Sequence, residues 1–283
     1  MTYNLVGTFY ICPTPIGNLD DVSTRILDTL KNVDLIYCED TRRAKKLLDN
    51  FQLTTPVSSY FLGNEHKKIK EISSFLLEGK NIALISDAGT PLISDPGSEL
   101  ISYLVENKHD IVSIPGPSSV LVALTISGFD LSEFQFLGFI PKSGKEKIDF
   151  GLKLLNSSIT SVCFTSPKRI NKDILFFQEQ GLDTEIVVCR ELTKKFETIY
   201  RGSIDELGEQ LFGKQLKGEI TLVIAAPEKE VNINYDLDSS LKVFIDNEVP
   251  KREIAKAVSN ITCLLYTSPS PRDQRGSRMP SSA

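Results

Sequence analysis

Four short stretches concentrate the residues able to do chemistry. They are "CPTPIGNLDD" (residues 12–21), "CEDTRR" (38–43), "SDAGTPLISDPG" (86–97) and "PGPSS" (115–119). Each follows an apolar run that reads as a buried strand, and each is rich in Gly, Pro, Ser, Thr or Asp. Glycine lets backbone approach a ligand closely, and proline fixes the shape of a loop. One such loop is an ordinary turn. Four at the same edge of a parallel sheet form the place where ligands gather. The acids narrow the ligand. Asp87 and Asp95 would repel a phosphate but can accept hydrogen bonds from ribose hydroxyls or an ammonium group. A nucleoside with an amino-acid end and a sulfonium charge meets those needs, which points to S-adenosylmethionine. Asp95, directly before Pro96, has a second reading as the cap of the next helix.

Other chemistries are excluded by spacing. No G-x-G-x-x-G follows a strand, so a dinucleotide site is not expected. "GFIPKSGKE" (138–146) resembles a nucleotide-triphosphate loop, but it has five residues between its glycines and Glu146 where Ser or Thr is required. The five cysteines are scattered singly, with no C-x-x-C, so neither a metal site nor a redox pair is expected. Cys12, Cys38, Cys163 and Cys189 lie in apolar runs and read as buried thiols of a cytoplasmic protein. The N-terminus has no secretory pattern, and no apolar stretch is long enough to span a membrane.

These loops need a scaffold. Strand-like runs at 8–12, 34–38, 57–61, 81–85 and 110–114 alternate with helical periodicity. Val22, Ile26, Leu30 and Val33 mark the first helix, and Ala44, Leu47, Leu48 and Phe51 the second, with Thr41 as its cap. Ile69, Ile72, Phe75 and Leu76 mark a third, closed by Gly79, and Leu100, Leu104 and Val105 a fourth. Continuous apolar strands alternating with helices predict a mostly parallel sheet covered on both faces. A further helix at 118–127 leads to strands at 134–140, 161–165, 185–190, 197–200 and 219–225. Helices are expected there at 145–155, 170–180 and 204–212. The short polar turn between 190 and 197 predicts a hairpin, and so a mixed second sheet. The reading is two α/β domains, 1–117 and 118–228, then a linker and the start of a helical module at 229–262. Residues 263–283 hold five serines and three prolines without periodicity and read as a non-native tail.

The four loop motifs, with "FLGFIPKSGKEK", "FTSPKRI", "CRELTKKFETIYRG" and "KGEITLVI" following in order, closely resemble a ribosomal-RNA-methylating group of the tetrapyrrole (corrin/porphyrin) methylase superfamily. The resemblance runs from about Gly7 to Glu228. It implies a two-domain fold with S-adenosylmethionine in the cleft between mostly parallel and mixed sheets, in a homodimer. It implies methyl transfer to the ribose 2′-hydroxyl of a decoding-centre cytidine in the 16S rRNA of the small ribosomal subunit. Carried onto matching positions, it assigns cofactor contacts to Pro15, Gly17, Ser86, Asp87, Ala88, Gly89, Pro91, Ser118 and Ser119. From the second half it assigns Thr165, Leu192 and Thr221.

A ribose hydroxyl is a poor nucleophile while protonated, so a general base is expected. Glu39, Asp40, Glu65 and His66 are candidates, although Glu39 and Asp40 could instead cap a helix and pair with Arg42 or Arg43. The net charge of −5 argues against a general nucleic-acid binder, and the tail, with three Arg and one Asp, masks a still more negative balance. RNA contacts must then come from local clusters: Arg42, Arg43, Lys142, Lys145, Lys168 and Arg169, with "LTKKF" (192–196) beside them. Two rivals stand beside this reading, a corrin- or porphyrin-precursor methylase and a non-catalytic RNA-binding assembly factor.

Overall fold

The structure, a computed structural model, describes residues 6–227. The expected linker, helical module and tail lie outside the described residues. The chain alternates as β1 (Thr8–Cys12), α1 (Thr24–Asn32), β2 (Leu35–Cys38), α2 (Thr41–Asn50), β3 (Val57–Ser59), α3 (Glu65–Leu77), β4 (Ile82–Ile85), α4 (Ser98–Glu106) and β5 (Asp110–Ser113). All pairings among these strands are parallel, in the order β3-β2-β4-β1-β5. Parallel strands put their carboxyl ends on one edge, so the loops after β1, β2, β4 and β5 emerge together.

Both faces of this sheet are covered. Phe9, Ile11, Tyr37, Ile82 and Leu84 pack against Ile69, Ile72 and Leu76 of α3 and Leu100 and Leu104 of α4. Their neighbours Cys12, Ile36, Cys38, Ala83 and Ile85 pack against Ile26 and Leu30 of α1 and Ala44 and Leu48 of α2. Successive strand residues therefore enter opposite cores, which explains why the strands read as unbroken apolar runs. Two expectations need correction. Asp40, not Thr41, caps α2, accepting from the Arg42 backbone N–H at 2.9 Å. Val105 is 61 % exposed, because it follows Leu104 around the helix and leaves the buried stripe.

α5 (Ser119–Ser127), β6 (Phe134–Phe139), α6 (Gly144–Leu155), β7 (Thr160–Thr165), α7 (Ile170–Glu179), β8 (Glu185–Arg190), β9 (Thr198–Ser203), α8 (Ile204–Leu211) and β10 (Ile220–Ile224) complete the described chain. The second sheet runs β6-β7-β10-β8-β9. Only β6 and β7 pair in parallel, and β8 and β9 form the expected antiparallel hairpin, so the sheet is mixed. β9 starts and ends later than its apolar pattern suggested, reaching Ser203, whose side chain then caps α8 in a capping box with Glu206. One face carries α6, α7 and α8. The other carries α5 and, from the first half of the chain, Ile16.

A buried charge network sets the edge of this sheet. Asp173 is fully buried and binds Lys147 at 2.8 Å and Arg169 at 3.1 Å, while the Thr165 hydroxyl donates to its other oxygen. Removing one partner of such a cluster leaves charge uncompensated in a poorly solvated place. Asp173→Ala should lower unfolding free energy by about 3 kcal/mol in chemical denaturation. A change under about 0.5 kcal/mol, the range of ordinary surface substitutions, would contradict this role.

Candidate active site

The loop after β1 is tied to the loop after β4. Thr14 and Gly89 exchange both backbone hydrogen bonds, at 2.9 and 3.0 Å. The Thr14 hydroxyl donates to the Ser86 carbonyl, and the Ser86 hydroxyl donates to the Gly89 carbonyl at 2.8 Å. The Thr90 hydroxyl donates to the Pro117 carbonyl at 3.0 Å, which adds the loop after β5. Three loops are thus stitched into one wall.

That wall faces the second sheet across a cleft of about 360 Å³. Asp87, Ala88, Gly89, Ser118 and Ser119 line it from one side, and Thr165, Leu192 and Thr221 from the other. Eight expected cofactor positions from five separate segments therefore meet in one cavity. Pro15, Gly17 and Ser86 line a smaller adjoining cavity of about 120 Å³, with Arg43 and Asp87 shared by both. Pro91 is buried behind the loop. Gly17 has a packing reason of its own. A Cβ there would lie 2.3 Å from Lys194 Cγ and 2.9 Å from the Leu192 carbonyl oxygen, so only glycine lets the first loop touch the β8–β9 turn.

The acids separate in role. Asp87 pairs with Arg43 at 3.1 Å at the mouth of the cleft. Asp95 does not cap α4: Gly97 holds that position, and no side chain caps the helix. Asp95 instead lines the cleft, half-buried. Burial, then the nearby charges of Glu39 and Asp87, push its carboxyl up to about 6. Cys189 also lines the cleft, but burial pushes its thiol up to about 12, so it is a wall and not a nucleophile.

Asp40 is bound by the Arg42 guanidinium at 2.7 and 3.1 Å, and those hydrogen bonds hold its carboxyl well below the usual range. Glu65 accepts from the Tyr60 hydroxyl at 3.3 Å, and neither residue lines the cleft. Glu39 reaches the site through its charge on Asp95, not as part of the cleft wall. His66 is solvated, 3.8 Å from Glu99 on the outside of α3 and α4. Among the basic residues, Arg42 is exposed but engaged by Asp40, while Lys142, Lys145 and Lys168 are exposed and form no ion pair among the described residues. Arg169 turns inward. Its guanidinium donates to the Ile140 and Pro141 carbonyls and to Asp173, which removes it from the surface on which an RNA contact was expected. Lys194 is likewise held by Glu191 and Glu219.

Sequence reasoning missed Ile16, Phe139, Phe164, Ser166 and Pro167, which also line the cleft. Their signal was position: Phe139 and Phe164 at strand ends, Ser166 and Pro167 directly after one, and Ile16 within the first loop. The donor set suits a cationic nucleoside. Hydroxyls of Ser118, Ser119 and Thr221 and the carboxylate of Asp87 lie among apolar walls from Ile16, Val120, Phe164 and Leu192. The cavity falls at the small end of the roughly 300–1,000 Å³ typical for cofactor sites.

Comparison with known proteins identifies the family. A family model described as Tetrapyrrole (Corrin/Porphyrin) Methylases matches residues 8–208. A protein of Mycoplasmopsis pulmonis, "Ribosomal RNA small subunit methyltransferase I", is 44 % identical over 220 residues, 77 % of this chain and 97 % of that one. Its namesakes from Bacillus subtilis and Thermotoga maritima are 40 % and 39 % identical, covering 80 % and 79 % of this chain and 77 % and 100 % of theirs. Among solved structures, a cobalt precorrin-4 methyltransferase superposes with a TM-score of 0.59 at 18 % identity, over 77 % of this chain and 94 % of that one. A diphthine synthase reaches 0.61 at 14 %, over 77 % and 89 %. These two likenesses speak for the fold alone. The extent of the family match and the identity to curated relatives establish that this chain belongs to the tetrapyrrole (corrin/porphyrin) methylase family.

Proposed function

We propose that this chain transfers a methyl group from S-adenosylmethionine to ribosomal RNA of the small subunit, at the ribose 2′-hydroxyl of a decoding-centre cytidine in 16S rRNA. The observation that carries the reading is the cleft itself, in which an acid-bearing loop and hydroxyls from both halves converge. The relatives' shared name supports the RNA substrate, since they are 39–44 % identical where the corrin enzyme is 18 % identical. The exposed lysines at 142, 145 and 168 support it further, because a polyanion needs exposed cations. A cytoplasmic homodimer belongs to the same reading. The four buried free thiols fit a reducing compartment.

When bound, S-adenosylmethionine supplies an electrophilic methyl on a sulfonium. Asp87 and the Ala88–Gly89 turn would hold it from one side, and Ser118, Ser119 and Thr221 from the other, with Ile16 and Leu192 shielding it from water. Asp95 accepts the proton leaving the ribose hydroxyl. A carboxyl near 6 is ionised at neutral pH yet more basic than a solvated one, which suits proton abstraction. Asp40, held low by Arg42, is a weaker base.

Purified enzyme should label unmethylated small ribosomal subunits, and mass mapping should place the methyl on a cytidine ribose. Methyl on a base, or label only on a tetrapyrrole precursor, would overturn the reading. Asp95→Asn should lower kcat by about 100-fold or more, within the range for general acid–base catalysis, while cofactor affinity stays within a few-fold. In the wild type, kcat should rise with pH through about 6 as Asp95 ionises and level off above it; Asp95→Asn should lose that limb. An unchanged pH profile in the variant would assign the base elsewhere.

A further inference from the structure

We infer that Phe139 is the platform on which the base of the target nucleotide stacks; this rests on the RNA-methylation reading above. Phe139 lines the cleft yet is 62 % exposed. A phenylalanine left this open on the wall of a binding cavity has a face available for a flat partner. Its position is built by the backbone. β6 and β7 pair in parallel register from Phe134 to Phe136, then the register shifts before Phe139 meets Phe164. Gly138 sits at that irregularity with φ of +69°, a left-handed value that glycine adopts without strain. Such bulges re-aim a side chain beside an active site. Here the bulge leaves Phe139 exposed at the end of the strand, directly after four half-buried residues.

The ring is also braced. Phe164 packs edge-on against Phe139 with centroids 5.3 Å apart, and against Phe136 at 5.0 Å. An edge-on neighbour fixes a ring while leaving its face open. The loop that follows is clamped by Arg169 through the Ile140 and Pro141 carbonyls, and Arg169 is itself held by buried Asp173. Beyond the clamp stand Lys142 and Lys145, with Lys168 on the neighbouring loop, all exposed. An aromatic face beside a short row of cations is the pairing that holds single-stranded nucleic acid, base on ring and phosphate on lysine. A nucleotide drawn out of its stack loses stacking energy, and a replacement stack offsets that cost. The inward turn of Arg169 thereby acquires a purpose: it positions this shelf instead of touching RNA.

The test compares Phe139→Ala and Phe139→Tyr with the wild type on unmethylated small ribosomal subunits. Cofactor affinity is measured separately by calorimetry. Phe139→Ala should lower kcat/KM for subunits by about ten- to a hundred-fold, the size of a lost base–aromatic stack. It should leave S-adenosylmethionine affinity within two-fold, and Phe139→Tyr should stay within a few-fold of wild type. Unchanged kcat/KM in Phe139→Ala would overturn the inference. So would a matching loss of cofactor affinity, which would make Phe139 a wall of the adenine site, or equal loss in the tyrosine variant. If the wild type fails to methylate subunits at all while binding the cofactor, the functional reading itself falls and this inference with it.

Discussion

Ile16 joins the two halves of the molecule. It leaves the first loop of the parallel sheet and enters an apolar cluster made by Val120, Ala123 and Leu124 of α5 and Val162, Val187, Cys189, Leu192 and Val223 around the second sheet. Burying an isoleucine contributes about 1.5–3 kcal/mol. The contact matters more for where it falls. One residue along the same loop, Gly17 meets the Leu192–Lys194 turn so closely that no side chain fits. Two residues before Ile16, Thr14 is bonded to Gly89. The loop that plugs one core is therefore the loop that holds the acidic turn, and the cleft between the sheets has its width set by packing.

The electrostatics of the cleft follow from that closure. Asp87 is answered by Arg43. Asp95 is half-buried, has no ion pair among the described residues, and feels Glu39 and Asp87 as like charges. Two carboxylates of one loop thus stand in different surroundings, one answered by a guanidinium and the other raised by burial and like charge. Asp173, outside the cleft lining, has a structural part. It pairs with Lys147 and Arg169, and Arg169 clamps the loop that follows Phe139.

Much of this was legible in the chain. The alternation of apolar runs with helical stripes fixed the strands of both sheets to within a few residues, because buried strands and amphipathic helices have different periods. The loops at the carboxyl edge followed from the parallel reading, and eight residues assigned by motif resemblance do share a cavity. What resisted reading depended on partners distant in sequence. Asp95 looked like a helix cap because a local pattern says so, whereas Gly97 holds that place. Arg169 looked like a surface cation because nothing nearby shows that Asp173 and two carbonyls of the β6–α6 loop claim it. Phe139 looked like an ordinary strand residue because a bulge is a property of two paired strands, not of one.

An acidic loop closing on hydroxyls suits a cationic nucleoside better than a phosphorylated one. Calorimetric titration of the full chain with S-adenosylmethionine and, separately, with ATP tests this most directly. Saturable binding of S-adenosylmethionine at one site per chain is expected, with no detectable binding of ATP at the same concentrations. Comparable binding of ATP, or none of S-adenosylmethionine, would contradict it.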